Sequence, residues 1–268
     1  SKFENFTYLY DARPGQMVGW HRALKIAQGD ITCFIDDDVS PDSSWLAGVA
    51  GAYRDSEVGL ATGPIKLHYE TPPPDWIQHM IIGEPGAQTL PAFGLLDSGS
   101  EVKEIPGNFV WGTNFTVRKS CLLEVQGFHP CAMPGRLLKF HGDGEVHVGR
   151  SVEALGHRVL YHPEASVVHH IPTARLTLGA IKSKFITTGY TRSFALLRQL
   201  RDVYELPGEE EFQAMALRYF PKPDTVPEEL IQTIQDGLTF GVSHHLKCFA
   251  EDAAFREWVL HDNYLDLD

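Results

Sequence analysis

Apolar and polar positions change rhythm several times along the chain, and the changes trace an alternating α/β pattern. Residues 6–10, Phe-Thr-Tyr-Leu-Tyr, read as an extended strand followed by a turn over 11–15. Over 17–28 the apolar residues Met17, Trp20, Leu24 and Ala27 recur at helical spacing, with Gly29 as the stop. Residues 31–35 form a short β-branched and aromatic run, the mark of a buried strand, and lead into Asp36-Asp37-Asp38. Ser40 fits an N-cap, Pro41 the first helical position and Asp42 the positive end of a helix over 43–53. Strands are expected at 58–63, 110–117, 158–162 and 165–169, and helices at 119–126 and 146–155. Between 68 and 108 the rhythm breaks at Pro72-Pro73-Pro74, Pro85-Gly86, Pro91 and Pro106-Gly107, which predicts a long irregular loop. Beyond Pro172 it is helical, over 176–204, 209–219, 228–249 and 252–260.

Composition narrows the class. A chain of 268 residues with 43% hydrophobic and 22% charged residues is ordinary globular protein, long enough to bury a sizeable core. Its formal charge of −12 argues against a nucleic-acid-binding surface, which needs clustered Lys and Arg. Cys33, Cys121, Cys131 and Cys248 show no CxxC pair, so reduced thiols and a cytoplasmic setting are expected. No apolar run approaches a membrane span and no signal-peptide pattern opens the chain.

The acidic run carries the first candidate chemistry. Three adjacent like charges persist most often where a cation neutralises them. On an extended chain Asp36 and Asp38 face one side and Asp37 the other, and ligands of open α/β sheets bind beyond such strand ends. An EF-hand loop is disfavoured, because Pro41 and Ala47 fall where Gly and a bidentate Glu are needed. A divalent-metal or diphosphate role is therefore favoured over an acidic capping turn. Other positions stay open between two readings. Arg13 is either a phosphate contact at a helix N-terminus or a solvated loop residue. Gly112 and Asn114 are either a close-approach point with a ligand-bonding amide or a bulge beside a cap. Glu145, with Asp143 just before it, opens a helix as either a macrodipole partner or a general base. His169 ends a strand, where structural histidines outnumber metal ligands.

Taken in order, Arg13-Pro14-Gly15, His21-Arg22-Ala23, Ala27-x-Gly29-Asp30, Phe34-Ile35-Asp36-Asp37-Asp38 and Gly112-x-Asn114 with Gly127-Phe128 resemble family 2 glycosyltransferases of the GT-A fold. The sequence continues the resemblance through Gly142-Asp143-Gly144-Glu145, the run from Gly156 to Ala165, and Val168-His169, so that it spans 8–172. The resemblance implies an α/β fold with a Rossmann-like mixed sheet flanked by helices over 1–172, and a helical C-terminal extension over 173–268. It implies inverting transfer of a sugar, of the hexosyltransferase type, from a nucleotide-sugar donor to a hydroxyl. In that scheme Asp36, Asp37, Arg13, Gly112 and Asn114 serve the donor, while Asp36, Asp38 and His169 hold Mn or Mg. Glu145 aligns with the catalytic base, and Asp143 is the second candidate because the family's Glu-Asp pair is here Gly144-Glu145. The implied acceptor is a saccharide or lipid-linked saccharide in bacterial surface polysaccharide or glycolipid assembly. The extension completes the core, with a cover for the acceptor cleft, a peripheral membrane contact at the inner face and a homo-oligomer contact as alternatives. Family members begin with a nucleoside-binding βα unit of about 30 residues, and this sequence enters after it, so a missing N-terminal part is expected. The rival readings are a non-catalytic sugar- or nucleotide-binding module and a metal-dependent phosphohydrolase.

Overall fold

The computed structural model describes residues 5–266. In chain order the first half holds α1 (Gln16–Ile26), β1 (Ile31–Phe34), β2 (Val39–Pro41), α2 (Trp45–Ala52), β3 (Val58–Thr62), β4 (Ile65–Tyr69), β5 (Ile82–Glu84), β6 (Ala87–Leu90), β7 (Leu95–Leu96), β8 (Lys103–Glu104), β9 (Phe115–Arg118) and α3 (Lys119–Glu124). It continues through α4 (Gly144–Ala154), β10 (Arg158–Tyr161) and β11 (Val167–Ile171). Four helices follow: α5 (Leu178–Leu200), α6 (Glu209–Leu217), α7 (Glu228–Glu251) and α8 (Ala253–Leu260).

The strands form two mixed sheets, in the orders β1-β9-β3-β10-β8 and β2-β11-β4-β7-β6-β5. Only β10 with β3 and β11 with β4 run parallel among these pairs. The mixed sheets flanked by helices are the α/β class that the alternating pattern predicts. All five residues of β3 are buried, as expected for a central strand covered on both faces. Helix α2 crosses the turn before β11 at Gly48. A Cβ there would stand 2.3 Å from the Ala165 nitrogen, so any larger residue would push the helix off the sheet.

Beneath the end of β1 lies an aromatic platform. Phe34, the last residue of the strand, packs on Trp20 of α1 with ring centroids 4.5 Å apart, and edge-on against Phe128 at 5.2 Å. Burial of these rings fixes where the following carboxylates emerge.

Several expectations are corrected. Residues 6–10 form no strand, and Phe6, Tyr8 and Tyr10 are exposed; the described residues offer that segment no neighbouring ladder, without which an extended run is not held. Ser40 and Pro41 do not start a helix. They lie in β2, paired with Val168 and Val167 of β11, and α2 begins at Trp45 after Ser44. Pro41 is tolerated there because β2 is an edge strand. The strand expected over 110–117 begins only at Phe115, after a single 3-10 turn at Gly112–Asn114. The stretch 68–108 is not one irregular loop. It carries β5 to β8, and the β5–β6 hairpin turns at Gly86 with φ 86°.

Candidate active site

The carboxylates after β1 open into a cleft of about 660 Å³, lined among others by Gln16, Gly112, Glu145, His169, Arg175 and Lys184. Alternation along the chain places the acids as expected: Asp37 is exposed on the rim, and Asp36 and Asp38 are half-buried. Burial raises the Asp36 carboxyl above the usual range, and a hydrogen bond from Gln16 Nε2 at 2.5 Å opposes that shift.

Strands β2 and β11 bring Asp38 against His169. The buried His169 bonds through Nδ1 to the Phe93 carbonyl at 2.8 Å. A carbonyl only accepts, so Nδ1 carries a proton, and the guanidinium Nη1 of Arg175, which only donates, lies 3.2 Å from Nε2 and fits the tautomer whose Nε2 lone pair faces the cleft. That Nε2 lies 3.3 Å from Asp38 Oδ2, and in this tautomer the two facing acceptors are relieved by a cation beside them. Arg175 supplies one. Its Nη1 donates to His169 Nε2 at 3.2 Å and stands 3.7 Å from Asp38 Oδ2. Among the described residues no three His, Cys, Asp or Glu side chains are gathered for a metal ion.

Gly112 stands between the acidic pair and Glu145. A Cβ built on it would lie 3.8 Å from Glu145 Oε1 and 3.9 Å from Asp36 Oδ2, so a side chain would intrude between the two carboxylates. The Gly112 N–H lies 3.4 Å from Glu145 Oε1. Burial lifts the Glu145 carboxyl above its ordinary range, reinforced by the negative charge of Asp36 and opposed by the backbone bonds and by Lys184.

Asp143, two residues away, is held differently. Burial would raise it, but its Oδ1 lies 2.5 Å from His129 Nδ1, and that contact holds the carboxyl below its usual value. His129 in turn stacks on His147 with centroids 3.6 Å apart. The helix start therefore carries two carboxylates with environments that push them in opposite directions.

Two candidates are not brought to the cleft. Asn114 is fully buried: its Oδ1 accepts from Trp45 Nε1 at 3.0 Å and its Nδ2 donates to the Ala165 carbonyl at 2.8 Å. Both ends of the amide are used within the core, which makes Asn114 a tie between α2, the turn before β9 and the turn before β11 rather than a donor contact. Arg13 is drawn to Asp11, through Nε at 3.0 Å and Nη2 at 2.8 Å. It lines a separate cavity of about 530 Å³, walled by Met17, Phe128 and Trp258, that holds none of the three clustered Asp. Sequence reasoning missed Gln16, Arg175 and the α5 face of Lys184, Thr187, Thr188 and Thr191. The last had a signal in its spacing of three, four and seven, which puts those residues on one face of a helix.

Comparison with known proteins places these residues in context. Residues 1–125 match the model of glycosyl transferase family 2. That span includes Asp36 to Asp38 and Gly112, and ends before Asp143, Glu145 and His169. The glucosyl-dolichyl phosphate glucuronosyltransferase of Haloferax volcanii is 22% identical over 178 residues, which are 64% of this chain and 52% of that protein. The chain thus spans about half the length of the curated relative it matches. A crystal structure of GalNAc-T7 with UDP, GalNAc and Mn2+ covers 94% of this chain with 45% of its own, at 15% identity and a TM-score of 0.45.

Proposed function

We infer that this chain, a glycosyltransferase with family 2 sequence over residues 1–125, moves a sugar from a nucleotide-sugar donor to a hydroxyl acceptor with inversion. The observation that carries this reading is the separation of two kinds of carboxylate by Gly112. Asp36 and Asp38 sit with His169 on one side, and Glu145 lies on the other with its proton affinity raised.

The donor side fits a divalent cation, Mn or Mg. Asp36, Asp38 and His169 would hold it, and carboxylate oxygen with an oriented imidazole nitrogen is a suitable donor set. Such ions are commonly held by one or two carboxylates together with substrate phosphates, so a shared site does not need three protein ligands gathered beforehand. When bound, the ion supplies charge neutralisation of the leaving diphosphate. Asp36 and Asp37 would meet the nucleoside side of the donor, and Gly112 leaves the sugar room between the acids. On the opposite face a Glu145 carboxylate oxygen takes the proton of the acceptor hydroxyl as that oxygen attacks the anomeric carbon. A base with raised affinity accepts that proton more readily. Asp143, engaged by His129, fixes the start of α4 and hence the position of Glu145.

The proposed acceptor is a saccharide or lipid-linked saccharide, in bacterial polysaccharide or glycolipid assembly at the inner membrane face. The name of the Haloferax relative supports a lipid-linked acceptor. No helix of the described residues is long and apolar enough to cross a membrane. The test is calorimetric titration of UDP and GDP, with and without Mn2+, into wild type and Asp38→Ala. Metal-dependent binding that the variant loses is expected. Absence of nucleotide binding under every metal condition overturns the reading, and nucleotide-sugar breakdown at a rate indifferent to acceptor replaces it with a phosphohydrolase.

A further inference from the structure

We propose that Arg175 is the resident counter-cation of the Asp38–His169 pair, displaced when a divalent ion binds and then free to pair with the donor diphosphate. The inference rests on the metal-dependent reading above and extends it to a residue outside its ligand set. Arg175 Nη1 donates to the one lone pair His169 can offer a metal, at 3.2 Å, while standing 3.7 Å from Asp38 Oδ2. An ion bound to both atoms and a guanidinium donating to them compete for the same electrons. Both cannot be accommodated, because the added positive charge and the shared lone pair oppose co-occupancy.

The surroundings suit a side chain that pivots on a fixed backbone. Arg175 ends a 3-10 turn, Thr173–Arg175, whose first residue is tied down by Glu70: the Thr173 N–H donates to Glu70 Oε2 at 2.8 Å and its hydroxyl at 3.1 Å. The Arg175 side chain is 38% exposed and its guanidinium stands over the Phe93 ring, 5.9 Å from its centroid, a contact that tolerates sliding. In a chain of formal charge −12, the cleft sets Asp36, Asp37, Asp38, Asp143 and Glu145 against Arg175 and Lys184, a net negative lining that opposes a nucleoside diphosphate. A guanidinium released at the cleft wall offers a planar fork to phosphate oxygens. One cation thus serves two states: it neutralises the acids before loading and the phosphates after it.

The experiment measures Mn2+ affinity by electron paramagnetic resonance, without and with UDP, for wild type, Arg175→Gln and Arg175→Lys. Without nucleotide, Arg175→Gln is expected to bind Mn2+ about tenfold more tightly, because one charge-assisted hydrogen bond no longer competes for the His169 lone pair. With Mn2+ saturating, the same variant is expected to bind UDP about tenfold more weakly, the loss of one charge-assisted hydrogen bond to phosphate. Arg175→Lys falls between on both measures. A merely structural role would not move the two affinities in opposite directions. Equal or weaker Mn2+ affinity in Arg175→Gln, with wild type binding the ion, overturns the proposal alone. If neither protein binds Mn2+, the metal-dependent reading fails and the proposal falls with it.

Discussion

Glu145→Gln should make the protein inactive and more stable at once. Gln keeps the shape of Glu and an oxygen for the Gly112 N–H, 3.4 Å from Oε1, but cannot take a proton. A positioned general base contributes roughly 10²- to 10⁴-fold, about 3 to 5 kcal/mol of barrier at ~1.4 kcal/mol per tenfold. The stability arm follows from the raised carboxyl. Because the folded protein holds this proton more tightly than the unfolded chain does, the group stabilises the fold below the unfolded Glu pKa. That contribution is lost as pH rises through the raised folded value. Gln mimics the protonated form at every pH. Wild type and variant should therefore melt together at about pH 4, near the ordinary Glu value, and separate toward neutral pH. There the variant should gain on the order of 1 kcal/mol, the usual return on relaxing a strained active-site group, or about 2–4 °C in a chain of this size. The assay pairs acceptor-dependent release of nucleoside diphosphate with thermal melts across that pH range. The wild-type rate should rise with pH through a value above the normal Glu range. Turnover within threefold of wild type, or a variant that melts lower at neutral pH, would refute the role given to Glu145.

Three further outcomes are expected. Asn114→Ala leaves the Trp45 N–H and the Ala165 carbonyl unpaired in the core, which should cost roughly 2–4 kcal/mol with nucleotide affinity unchanged; lost affinity at full thermal stability would return Asn114 to the donor site. Asp143→Asn weakens the bond to His129 and should lower stability by about 1–3 kcal/mol while turnover stays within about tenfold; a larger loss of turnover with no change in melting would make Asp143 the base instead. A chain ending at Pro172 should yield no folded monomer by circular dichroism and sizing, and a cooperative melt of that fragment would show the first part to be self-sufficient.

Periodicity located most helices to within a few residues, because α1, α4, α5 and α7 each bury one stripe and leave the other wet. It failed where pairing partners decide. Residues 6–10 alternate like a strand yet have none to pair with in the described structure, while Ser40 and Pro41 carry helix-start chemistry but are taken by the edge of β11. The 68–108 stretch hid β5 to β8 because strands of two to four residues between prolines leave too short a pattern to read. In the site, the acids were legible because like charges at a strand end are unusual. The amide of Asn114 stayed open between two readings because a saturated core asparagine and a ligand-binding one look alike until their partners are known. Arg175 was invisible, since its meaning arises only when β11 and the turn after it fold it back onto Asp38.

The helices after Pro172 also decide the geometry around His169. Ile77, Met80, Leu90, Phe93 and Ile171 of the earlier part are each at most 2% exposed, and they share one cluster with Ile181, Phe185, Leu238 and Val242. Burial of five such side chains is worth roughly 7–15 kcal/mol, about the whole stability of a typical domain at ~5–15 kcal/mol. The sheet and the helices therefore depend on one core. Phe93 links that core to the chemistry: its ring packs in the shared cluster, and its carbonyl holds the Nδ1 proton of His169. If the helical packing loosened, that carbonyl would move and the lone pair facing Asp38 would lose its orientation. The orientation of the His169 ring in the cleft is in this way set partly by the packing of α5 and α7.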